Sequence, residues 1–335
     1  MLWSIGARRA PASRLLAIAA LAAVLFLAGA PARAQTLRLG HTLPPDSAYG
    51  DAAAAMADEL GRGSGQRLKL QQFPNGQLGD AGAMIDGLRR GTLDLMIVAS
   101  AMLGDAVPSL QIVDLPYLFS DQAHAAAVLD GPVGKRLLAA IGAHGLVGLA
   151  WADAGFRQMT NAKRPLRRPE DVQGLRLRVM NNPALADGLR RLGAEPARIP
   201  FLDLFGALRQ GALDGQENPL GVILTLDLWR VQRYLSLTDH ALSGVVIVAS
   251  PARWGGLMAA ERTLLTAAAQ AGAAAMRARA AADREAGIAQ ARQRGMVVEA
   301  NPDRGAFRAA LGPAADDFAK RFDAAELDAI RGQAR

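Results

Sequence analysis

The residues of this chain that could do chemistry are few, and most are arginines. Gly155-Phe156-Arg157-Gln158-Met159-Thr160-Asn161 sets an arginine beside a glycine and turn-forming residues, while Leu175-Arg176-Leu177-Arg178-Val179-Met180 alternates arginine with apolar residues. In a strand, period 2 puts Arg176 and Arg178 on one face and Leu175, Leu177 and Val179 on the other. A guanidinium there either points into solvent or, held at a cleft, makes two parallel hydrogen bonds to a carboxylate, which an ammonium cannot reproduce. Periodicity leaves both placements open. Catalytic machinery is harder to assemble. There is no GxSxG elbow, no SxxK and no HExxH, and the four histidines (His41, His124, His144, His240) are scattered. Asp214 and Glu217 could pair as acid and base, but they follow a helix stop without any acid–base context, and holding local structure is their simpler role. The chain reads as a protein that holds a ligand, with no catalytic residue, metal or cofactor implied.

Zero cysteine in 335 residues excludes disulfide scaffolds, Cys-ligated zinc, iron–sulfur clusters and a thiol nucleophile. A chain that is 51% hydrophobic and 21% charged has enough apolar side chain for one large or two ordinary cores. Its formal charge of +7 is inflated at the N-terminus, where Arg8, Arg9 and Arg14 flank an apolar run from Leu15 to Leu27, followed by Ala32-Arg33-Ala34. That is the build of a secretory signal peptide over 1–34, cut after Ala34. The run is short of the about 20 apolar residues of a permanent anchor. Removing 1–34 takes four arginines and no acid, leaving +3. No basic stripe interleaved with aromatics remains, so nucleic acid is excluded as a partner. The expectation is an exported, soluble chain, periplasmic in a bacterium.

The elements that must position the arginines alternate strand-like and helix-like segments, the pattern of an α/β fold. Thr36–His41 reads as a strand, followed by an Ala-rich helix to about Leu60 that the glycines of Gly61–Gly65 end. Arg67–Phe73 and Leu93–Ser100 read as strands flanking a helix over Asp80–Arg90. The joint Leu88–Asp94 recurs as Leu208–Asp214, with a helix ending at Gly and the chain re-entering a strand through Leu-Asp. This fits two similarly built lobes. From Glu261 to Arg294 there is no proline and alanine dominates. At 1.5 Å per residue such a helix is about 50 Å long and could bridge two lobes. The alternative is two helices broken near Gly272 or Gly287.

Gly155–Asn161, Pro169–Val179 (Pro-Glu-Asp-Val-Gln-Gly-Leu-Arg-Leu-Arg-Val) and Leu213–Pro219 (Leu-Asp-Gly-Gln-Glu-Asn-Pro) stand in the order GFRxxTN, peDxxGLrlRV, LDGQENP. Phe73–Gly79, Asp114–Phe119 and Val231–His240 add matches through nearly all of the chain beyond the leader. In these segments the sequence resembles the DctP-type solute-binding proteins of TRAP (tripartite ATP-independent periplasmic) transporters. The resemblance implies two α/β lobes of the periplasmic-binding-protein kind, joined by hinge strands and a long inter-lobe helix and closing on an organic acid. It implies lobe I over 35–154 plus 244–283 and lobe II over 155–243 plus 284–335. It makes Arg178 the carboxylate clamp, Arg157 a second cationic donor, Asn218 a polar contact and Phe201 an aromatic against the ligand. Its partners would be a small carboxylate, a C4-dicarboxylate or a sugar acid, and the membrane permease subunits, with the chain itself a monomer.

The facing lobe is less determined. Ligands in open α/β sheets lie beyond the carboxyl ends of strands, which brings His41, Thr42, Ala99 and Ser100 to the cleft. His41 could donate to the ligand or be a structural histidine. Where sialic-acid-binding relatives carry Asn, Asp and Glu, this chain has Thr42, Ala81 and Ala99, which argues against sialic acid. The usual RVP reads Arg178-Val179-Met180, and the usual acid–x–Tyr reads Asp203-Leu204-Phe205. A neutral or aromatic ligand, a sensor role and a secreted hydrolase are the alternatives.

Overall fold

A computed structural model describes residues 34–333 of the chain. The leader, all but its last residue, falls outside the described residues, and no described helix is long and apolar enough to cross a membrane.

Ten strands form the frame among the described residues: β1 (Gln35–Gly40), β2 (Leu68–Phe73), β3 (Leu95–Ala99), β4 (Val147–Asn161), β5 (Arg176–Arg178), β6 (Glu195–Ala197), β7 (Gly215–Pro219), β8 (Tyr234–Ser236), β9 (Leu242–Ala249) and β10 (Val297–Glu299). They follow the order β2-β1-β3-β9-β4-β7-β5-β6, with β8 on β4 and β10 on β8. β1 and β3 are parallel, as are β5, β6 and β7. The antiparallel pair β4 and β9 runs between these two parallel groups. Each group with its helices is one lobe, and β4 and β9 cross from one to the other. β9 is buried along its whole length, Leu-Ser-Gly-Val-Val-Ile-Val-Ala, as expected for a strand covered on both faces. Its period-2 alternation sends Val245 and Ile247 into one core and Val246 and Val248 into another.

β4 bends where it crosses. Its register with β9 slips between Asp153 and Phe156, and Gly155 lies there at φ +86°, a backbone that a side chain resists.

The Ala-rich segment is one helix, Ala259–Gln293. It packs Leu265, Ala269 and Met276 into the first lobe and Ala291 into the second. Neither Gly272 nor Gly287 breaks it. A Cβ on Gly272 would lie 2.7 Å from Met56 Cγ and 2.9 Å from the Ala52 carbonyl, and one on Gly287 would lie 2.7 Å from Leu220. Both glycines let another helix approach. The first helix likewise runs past Leu60, over Ala48–Ser64, through Gly61 and Gly63, and stops only at Gly65 in the left-handed conformation. The joints that echo in sequence are alike in structure, with Gly91 and Gly211 both at φ +71°.

The C-terminal segment divides between the lobes. Phe307 and Leu311 join the second-lobe core with Leu177 and Leu185. Phe318, Leu327 and Ile330 pack instead among Ile112, Val128 and Leu137 of the first lobe.

Candidate functional site

Three neighbouring strands of the second lobe bring the polar residues together. In the β4–β7 register Arg157 faces Pro219 and Gln158 faces Asn218, while Arg178 at the end of β5 pairs with Gln216 of β7. The two arginines are the largest fully buried side chains among the described residues, each 1% exposed.

They are used differently. Arg157 Nε donates to Glu217 Oε2, Nη1 to Ser243 Oγ at 3.1 Å, and Nη2 to the Glu217 carbonyl and to Asn218 Oδ1 at 3.1 Å. Four of its five N–H groups are engaged. Glu217 also accepts from the Met180 N–H at 3.0 Å and contacts His240 Nε2 at 3.3 Å. Burial alone would raise its carboxyl, but Arg157 overcomes this and holds it down at about 2. Asp214 accepts the Arg176 N–H at 2.9 Å and lies 3.0 Å from both Arg176 Nη2 and Lys163 Nζ. Both acids thus hold the frame.

Arg178 is not satisfied in this way. Nε and Nη2 make only long contacts of 3.4 Å to the Ile199 carbonyl, and Nη1 is buried with no partner among the described residues. The Phe201 ring lies 5.7 Å from its Cζ. Burial, with Glu217 opposing and Arg157 adding, lowers its pKa to about 10, so it stays charged at neutral pH.

Arg157, Arg178, Asn218 and Phe201 line a cavity of about 380 Å³, within the range of small-molecule sites. The facing wall comes from the first lobe: Thr42 after β1, Ala99 at the end of β3, Ala81 and apolar Met96, Val98 and Met102. Tyr49 from the first helix also faces it, its hydroxyl pKa raised by burial, with Arg157 opposing.

His41 and Ser100 are not brought to the lining. His41 is fully buried, its Nε2 3.3 Å from Gln72 Oε1, and burial lowers its pKa against that hydrogen bond. Ser100 Oγ donates to Asp114 Oδ1 at 2.7 Å and contacts the Gly244 carbonyl at 3.1 Å. The strand ends do reach the cleft, but one residue away: Thr42 lines it where His41 does not, and Ala99 where Ser100 does not. Phe205, at the place of the missing tyrosine, packs into the second-lobe core.

Sequence reasoning missed Ser243, Tyr49 and Asn181, all in the lining. Asn181 had a usable signal, since it follows β5 at the carboxyl end of a strand. Its neighbour Asn182 is the N-cap of the helix Pro183–Arg191. Ser243 and Tyr49 carry no local signal.

The sequence model of bacterial extracellular solute-binding protein family 7, DctP, matches residues 39–321. The chain belongs to this family. A solute-binding protein of Verminephrobacter eiseniae is 39% identical over 303 residues, 90% of each chain. The 2,3-diketo-L-gulonate-binding periplasmic protein YiaO of Escherichia coli K12 is 35% identical over 294 residues, covering 86% of this chain and 90% of that one. A TRAP periplasmic solute binding protein from Polaromonas sp. JS666, crystallised with D-erythronate, superposes with a TM-score of 0.86 at 42% identity, covering 89% of this chain and 98% of its own. Membership of this family makes the protein a DctP-type solute-binding protein and not an enzyme.

Proposed function

We propose that this chain is the periplasmic solute-binding subunit of a TRAP transporter, capturing a small organic acid of the C4-dicarboxylate or sugar-acid kind and handing it to membrane permease subunits. The observation that carries the reading is Arg178: a charged guanidinium, 1% exposed, with Nη1 unpartnered, on a residue that lines the cavity. A buried charge without a counter-ion is costly, and a ligand carboxylate relieves that cost through charge-assisted bonds. Arg157 is tied to Glu217, so it orients Asn218 and Ser243 and offers its one remaining N–H.

Closure would bend the crossing strands. Lobes over 35–154 plus 244–283 and over 155–243 plus 284 onward, with the chain from Phe318 returning to the first-lobe core, would put the hinge at Gly155 and at Gly244, which pairs with Asp153. On the long helix, Arg277 binds Asp153 and Asp130 of the first lobe, while Arg284 binds Asp239 of the second. Affinity would then be the intrinsic clamp strength reduced by the fraction of time the lobes are open.

The test is a thermal-shift and calorimetric screen of residues 35–335 and of Arg178→Ala against aldonates, dicarboxylates, keto acids and polyols. One acid class raises the melting temperature of the parent, and the variant loses about 2–5 kcal/mol of binding free energy. Stabilisation by polyols alone, or an equal response of the variant, overturns the reading.

A further inference from the structure

We infer that this cavity selects a hydroxylated monocarboxylate of the aldonate type and rejects dicarboxylates. The inference rests on the organic-acid reading above and names the ligand class of that same site. Its first support is the charge of the buried cluster. Arg157 and Arg178 face a single acid, Glu217, which is bound to Arg157. At most one positive charge is left over, so a single carboxylate is the most that this cluster can balance. Asp114, the other buried acid that interacts with Arg157, can only lower that sum.

The second support is the charge on the rest of the lining. The remaining charged residues of its lining are Arg198, Asp105 and Asp80. Arg198 lies 3.7 Å from Asp105, so it is already paired, and Asp80 Oδ1 caps the helix Ala81–Arg90. Together these exposed groups leave one excess acid on the lining. A second carboxylate would meet like charge there, whereas a hydroxyl can donate to it.

The third is an acceptor left open. Asn181 Oδ1 is buried without a donor among the described residues. A carboxylate is acceptor-only and cannot serve it, while a ligand hydroxyl can. Between these groups the first-lobe wall of Met96, Val98, Ala99 and Met102 is apolar and fits the carbon chain.

The experiment uses pairs differing only in the terminal group: D-erythronate with meso-tartrate, and D-gluconate with D-glucarate, titrated calorimetrically at pH 7.5 into residues 35–335. Butyrate and erythritol serve as controls. The better aldonate binds at least about thirtyfold more tightly than its diacid, the penalty expected when a buried charge finds no partner. The Asp80→Asn/Asp105→Asn double variant narrows that ratio, since Asn keeps the helix cap. Asn181→Ala lowers the preference for erythronate over butyrate about tenfold. A diacid that binds within threefold of its aldonate, or a ratio unmoved in the double variant, overturns this inference and leaves the organic-acid reading standing. Binding of erythritol alone, or of no acid at all, overturns both.

Discussion

The two lobes share one frame and differ in what they hang on it. In the first, the Arg38 N–H donates to Asp94 Oδ2 at 2.8 Å; in the second, the Arg176 N–H donates to Asp214 Oδ2 at 2.9 Å. Each arginine's guanidinium lies on the same carboxylate, at 3.6 Å and 3.0 Å. One residue on, Leu39 pairs with Leu95 as Leu177 pairs with Gly215. Then the lobes part. Gly40 faces Met96 where Arg178 faces Gln216. The place of a side chain at Gly40 is taken by Met84, whose sulfur would lie 2.7 Å from a Cβ there. The next strand is Leu-Met-Ile-Val-Ala in one lobe and Gly-Gln-Glu-Asn-Pro in the other, both buried or nearly so. One lobe supplies an apolar wall and the other a bonded polar network with a charge left over. On the proposed reading, this difference would give a bound acid a direction, with its carboxylate toward the second lobe.

Removing the network's counter-ion is the strongest way to break this contrast. Glu217→Gln leaves Arg157 buried and uncompensated, and urea unfolding at pH 7 shows a loss of about 3–5 kcal/mol. Because its carboxyl is held at about 2 against an ordinary 4.5, the parent's benefit is full above pH 4.5 and is lost as the pH falls toward 2.

Asp114, a buried acid of the first lobe, behaves oppositely. Asp114 has Ser100 as a donor but Oδ2 unpartnered, and burial pushes it up to about 7 despite the Ser100 bond. A raised carboxyl costs stability as the pH climbs from 3.8 to about 7, and the cost is constant above that. Asp114→Asn is accordingly more stable than the parent at pH 8, by at most about 4 kcal/mol, and equal to it at pH 3.5. A variant gaining nothing at pH 8 removes this half of the contrast.

The shared frame predicts matched effects. Asp94→Asn and Asp214→Asn each cost about 1.5–3 kcal/mol in chemical denaturation, the range for hydrogen bonds to a charged group. Costs differing severalfold would deny the equivalence of the joints. The smallest effect concerns residues behind the wall: Ser100→Ala and His41→Gln change the affinity for an acid by less than about twofold, measured by calorimetry, as contacts outside the binding centre do.

Much of this was legible in the residues. The joint Leu88–Asp94 and its echo announced two similar lobes, and the alternation of Leu175–Met180 put Leu175, Leu177 and Val179 into a core and Arg178 opposite them. The long helix was visible in the absence of proline, because helix propensity is a local property. Its glycines misled, since whether a glycine breaks a helix or admits a neighbour depends on what packs against it. Ser243 was hidden for the same reason: its contact is with Arg157, on a strand distant in sequence.

The sequence by itself determined the periodicities, the joints and the motif order, which follow from backbone geometry and need only near neighbours. Only the tertiary structure decided which arginine is spent and which is free. Arg157 and Arg178 are alike in kind and burial, and nothing local separates them. Burial makes every charge demand a partner. Glu217 lies 60 residues from Arg157 and is bound to it, so the unanswered demand falls on Arg178.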